Sequence, residues 1–106
     1  MSASPAAAPV DRAPATKPGL IFFFSARSGQ SRRVEGFLAQ VLQRRGNHRT
    51  FQVHRIDADK HPDFATQFEV TDTPALVIVD GGLIRGRVTK PVGCRQIEEL
   101  LSPWLR

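Results

Sequence analysis

The sequence predicts a single α/β domain in which strands and helices follow one another as β-α-β-α-β-β-α. Three observations carry this expectation. Two short apolar runs, LIFFF at 20–24 and ALVIV at 75–79, stop abruptly at polar turn residues, as strands covered on both faces do. Between them Val34, Phe37, Leu38, Val41 and Leu42 recur at i, i+3, i+4, i+7 and i+8, which lines one face of a helix. Asp80-Gly81-Gly82 then gives a hairpin turn into LIRGRVT, a second strand folding back on the first. A chain of 106 residues with 41% hydrophobic content has room for one core.

Taken in order, residues 1–19 read MSASPAAAPVDRAPATKPG, where four prolines interrupt any helix and no apolar period appears, so a disordered tail is expected. The folded domain is expected over 20–106. Its first helix should close near Arg44, Arg45 and Gly46, with cations where the helix dipole favours them. Gly36, inside that helix, is expected to mark a kink. FQVHRID at 51–57 alternates and is rich in β-branched and aromatic residues, which favours a strand. In DADKHPDFATQF, Asp59 is a candidate cap, Pro62 suits a first helical turn, and Phe64 and Phe68 are four apart. The last helix places Ile97, Leu100, Leu101, Trp104 and Leu105 on one face, with Pro103 expected to end or kink it after Leu101.

The residues at five joints of this order resemble the thioredoxin fold family. They are the turn after LIFFF, the acidic turn DADKHP, the loop TDTPAL, the hairpin DGG, and VGC before the final helix. The resemblance covers 20–106 and implies a thioredoxin-like fold with a central mixed sheet of about four strands flanked by helices, lacking the family's first strand and helix. It also implies a cis peptide bond between Thr73 and Pro74.

On the turn where the family carries Trp-Cys-Gly-Pro-Cys, the aligned residues are Arg27, Ser28, Gly29, Gln30 and Ser31. Thiol-disulfide exchange needs a thiolate, and neither serine supplies one. The family's buried acid aligns with Phe22. Dithiol catalysis through this turn is therefore excluded. A serine nucleophile would need a base and an oxyanion hole, and the inferred topology brings none of His48, His54 or His61 to the turn. The plain reading is that Ser28 and Ser31 cap the helix. The histidines lack ligand spacing, so no metal and no cofactor are expected.

What the turn keeps is a positive helix start ringed by Arg27, Arg32 and Arg33, an anion-binding candidate whose alternative is a solvated basic surface. The resemblance further implies a groove at Thr73, Pro74, Gly93 and Cys94 that pairs with the backbone of an extended peptide. Arg27, in place of the family's aromatic residue, shifts the preference toward acidic segments. The function expected is thus a redox-inactive protein- or peptide-binding module. The alternative is a one-thiol redox regulator using Cys94, the single cysteine, which the resemblance places near Ser28 at a helix start beside Arg95 and Lys90. A charge of +5 also suits nucleic acid, but the phenylalanines lie on expected core faces and leave no stacking platform, so nucleic acid is not expected. One cysteine, no stretch of ~20 apolar residues and no secretory apolar segment read as cytoplasmic, with no membrane partner.

Overall fold

The computed structural model describes residues 17–105. The expected tail of 1–19 lies outside the described residues as far as position 16, and its last residue, Gly19, is the first of a strand. Strand β1 (Gly19–Phe24) leads through a turn into helix α1 (Gly29–Gln43), followed by a 3₁₀ segment (Arg44–Arg49). Strand β2 (Gln52–Asp57) and the short helix α2 (Pro62–Gln67) come next. The hairpin of β3 (Ala75–Asp80) and β4 (Leu83–Thr89) follows, and helix α3 (Cys94–Leu101) is the last regular element described. The four strands form one sheet in the order β2-β1-β3-β4, with β1 and β2 parallel and the other pairs antiparallel. This is the mixed sheet the sequence predicts.

The continuous apolar run of β1 follows from its central place, because both faces of the strand are covered. Leu20 and Phe22 point into a core with Val34, Leu38, Val41, Leu42, Ile97 and Leu101, so α1 and α3 pack on that side. Ile21 and Phe23 point the other way, toward Ala65 and Val70. Strand β3 behaves alike, with Leu76 and Ile78 in the first core and Ala75 and Val77 in the second. Strand β2 is an outer strand paired only to β1 in this sheet, and Gln52 to Arg55 are exposed despite the alternation of their sequence. Arg55 is held at that edge by Glu35, 2.7 Å away, and lies over the Phe24 ring.

Two glycine sites shape the far side. Gly81 and Gly82 carry φ of 63° and 79°, the pair of positive values that a tight two-residue hairpin turn needs. At Gly86 an added Cβ would stand 2.8 Å from Leu100 Cδ1, so the absence of a side chain lets α3 settle on β4. Helix α3 stops at Leu101, as Pro103 predicts, and the Trp104 indole N–H donates to Asp80 Oδ2 at 3.0 Å, tying the chain end to β3.

One expectation about the helices needs correction. Asp59 does not cap α2: the N-cap is His61, without a side-chain bond, and the Asp59 carboxylate turns toward Ser25 instead. The helix is not interrupted at Gly36: α1 runs as one helix through that position, and a Cβ there would meet nothing within 4 Å. Gly36→Ala should therefore raise stability by about 0.5–1 kcal/mol through helix propensity. Leu38→Ala should lower it by about 2–5 kcal/mol through a cavity under α1. Urea unfolding measures both, and a destabilising Gly36→Ala would show that the position carries a hidden constraint.

Candidate functional site

The site grows from the three serines of SARSGQS. Ser28 has extended backbone and caps α1, its Oγ accepting from the Ser31 N–H at 3.1 Å. Ser31 is 3% exposed, and its Oγ accepts from the Ser25 N–H at 3.0 Å. The Ser28 N–H donates to the Ser25 carbonyl at 3.0 Å, which closes the turn. Ser25 in turn donates its hydroxyl to Asp59 Oδ2 at 2.6 Å, joining the turn to the segment before α2. The expectation that both serines act as caps holds for Ser28 alone. Ser31 performs a different task, binding the end of β1 to the first turn of α1.

These contacts decide what the turn can do chemically. The Ser28 oxygen is engaged by a backbone donor and the Ser31 oxygen is buried on another, so neither is presented as a free nucleophile. Phe22, aligned with the family's buried acid, is 1% exposed in the core. His48 precedes β2, and because β1 and β2 run parallel it lies at the opposite end of the sheet from the turn. His54 is within β2, and the His61 ring packs against Phe64.

The loop facing the turn contains the cis peptide bond Thr73–Pro74. Pro74 is buried, Thr73 is half-buried, and the Pro74 carbonyl accepts from the Lys90 N–H at 2.7 Å. Two depressions open here. One of about 70 Å³ is lined by Gln30, Arg33, Phe37, Pro91 and Val92, between the first turns of α1 and the loop before α3. The other, about 380 Å³, lies between Asp59, helix α2 and the stretch Val70 to Thr73. Thr73 stands at the border of the larger one. Arg27, Gly29, Gln30, Arg32 and Arg33 are exposed, and among the described residues none of these three arginines is in a salt bridge.

Cys94 stands at the start of α3, as the sequence expects, but its sulfur is directed along α1 rather than at the turn. Gly93 caps α3, and the Cys94 sulfur lies 3.2 Å from Gln40 Oε1 and 3.7 Å from the Phe37 carbonyl. Those partners are nine and twelve residues beyond Ser28 along α1, roughly 13–18 Å at 1.5 Å per residue. The thiol thus faces the flank of α1, and the wall nearest the turn is made by Pro91 and the exposed Val92. Sequence reasoning also missed Ser25, Asp59 and Asp72 as parts of the site. The recurring serines in SARSGQS were the available signal for Ser25, whose backbone N–H binds Ser31 and whose hydroxyl binds Asp59.

A sequence-family model described as Thioredoxin matches residues 10–104. The thioredoxin-like protein slr0233 of Synechocystis sp. is 34% identical over 68 residues, which span 62% of this chain and 61% of that protein. Among solved structures, mitochondrial thioredoxin 3 from Saccharomyces cerevisiae in its oxidized form superposes with a TM-score of 0.71 at 20% identity, covering 83% of this chain and 79% of its own. Thioredoxin O2 from Arabidopsis thaliana in its oxidized state gives a TM-score of 0.71 at 14% identity, covering 86% of this chain and 77% of its own. At those identities the two structures speak for the fold.

The serine network gives an ordered expectation. Ser31→Ala leaves the half-buried Ser25 N–H without its acceptor and should cost about 1–3 kcal/mol. Ser28→Ala removes a half-exposed cap and should cost about 1 kcal/mol. Equilibrium unfolding of both variants checks the order, and a cheaper Ser31 substitution would contradict the network described.

Proposed function

The chain belongs to the thioredoxin family, and from that premise we propose that it is a member without dithiol chemistry, acting as a protein- or peptide-binding module through the groove between the Ser28 turn and the Thr73–Pro74 loop. The observation that carries this reading is the state of the two turn hydroxyls, both engaged as acceptors in bonds that hold the turn itself. A turn that is built but has no thiolate can position a ligand and cannot exchange a disulfide. The open features around it support binding: the loop carrying Thr73, the exposed Val92, and the exposed cations Arg27, Arg32 and Arg33, which form no salt bridge among the described residues. Those arginines favour an acidic residue on the α1 side of a bound segment. A cytoplasmic setting belongs to the same reading, resting on the single cysteine. Among the described residues no helix is long and apolar enough to cross a membrane.

The one-thiol alternative gains nothing from the geometry. Cys94 packs on the flank of α1 with its sulfur directed at Gln40, so a mixed disulfide there would form outside the groove and would not use it. The chain should give no insulin reduction by dithiothreitol above that of dithiothreitol alone, and Cys94→Ser should leave this unchanged. Replacing Ser28 and Ser31 together by cysteine should create measurable turnover, because the helix start that favours a thiolate is still present. Turnover by the unaltered chain would overturn the reading.

A further inference from the structure

The larger depression has a composition that the arginines of the turn do not explain. Its lining includes the apolar Ala58, Pro62, Ala65 and Val70 together with two exposed aspartates, Asp59 and Asp72. We propose that this cavity is a subsite for a basic side chain, lysine or arginine, of the segment bound in the groove.

The fit is one of shape and charge together. A lysine or arginine has a methylene stem that prefers apolar contact and a cationic head that stays near water and anions. A depression of about 380 Å³ lined by four apolar residues and two exposed aspartates offers both. The Ser25 hydroxyl holds the Asp59 carboxylate at 2.6 Å, so one of the two anions is fixed at the junction of turn and cavity. Asp72 precedes Thr73, which places the other where a segment lying along the cis-proline loop would pass. Across the groove the charges are reversed, with Arg33 beside Pro91 and Val92 and Lys90 next to them in sequence.

Two rims of opposite sign select a segment by its charge order and fix its direction, a basic residue toward α2 and an acidic one toward α1. The chain as a whole carries +5 and repels cations, so attraction of a cationic probe to this point must come from the local carboxylates. The claim rests on the groove reading only in assigning the side chain to a bound segment. The cavity itself can be tested with a probe too short to use the groove.

The probe is N-acetyl-lysine N-methylamide, titrated into the ¹⁵N-labelled full chain, with N-acetyl-norleucine N-methylamide as its uncharged counterpart. Saturable shifts of the Thr66, Thr71 and Asp72 amides with the lysine compound, and much smaller ones with norleucine, are expected. Asp72→Asn should weaken the lysine response about threefold, the size of one exposed ion pair, and raised salt should weaken it in the unaltered chain. Equal responses to both compounds, shifts spread over the surface, or no effect of Asp72→Asn would overturn the proposal. Failure here leaves pairing at Thr73 standing, whereas failure of an extended peptide to bind, with the lysine response intact, would remove the groove and keep the cavity.

Discussion

The hydrogen bond from the Ser25 N–H to the Ser31 hydroxyl is the contact on which the rest of the site depends. It joins the last turn-facing amide after β1 to a side chain buried in the first turn of α1. Leaving this half-buried amide without a partner would be costly, so the bond helps fix how the helix departs from the strand. That departure angle lays Val34, Leu38, Val41 and Leu42 against Leu20 and Phe22, which is the larger of the two cores. It also leaves the Ser25 hydroxyl free to reach Asp59, which ties the turn to the segment leading into α2. Packing and site geometry thus come from one short serine-rich stretch.

The same bond explains how a thioredoxin-family turn persists without sulfur. Serine is smaller than cysteine and accepts hydrogen bonds far better, so it can hold a strand end and a helix start together where a thiol would serve mainly as a nucleophile. Once Ser28 caps the helix and Ser31 holds β1, a proton-handling group beneath them has no task, and Phe22 fills that place as core. Both hydroxyls are engaged in holding the turn together. The surface around the turn carries the cis-proline loop, with Asp59 and Asp72 on one side of it and Arg33 on the other.

Much of the fold was legible in the sequence because burial on both faces leaves a strong mark. LIFFF and ALVIV are the two central strands, and continuous apolar runs follow from that position. Helix α1 was legible from its apolar period and the hairpin from Gly81 and Gly82. The cis bond at Thr73 came from family resemblance, since composition does not distinguish it from a trans one. Less was legible where a side chain chooses between partners distant in sequence. Asp59 had a local use as a cap and a non-local one with Ser25, and the non-local one prevailed. Cys94 stands at the helix start that resemblance indicated, but the direction of its sulfur depends on how α3 leans on α1, which no local pattern records. The larger cavity combines residues from three segments and could be seen only once they were folded together.

The central claim is that the groove at Thr73 binds extended chain without using a thiol. Reduced and fully carboxymethylated insulin B chain, which is unfolded and can form no disulfide, is a direct probe when titrated into the ¹⁵N-labelled protein. Saturable shifts at the Arg27, Thr73 and Val92 amides, identical in Cys94→Ser, are the predicted result. The absence of any saturable shift at those three positions, or their loss in Cys94→Ser, would contradict it.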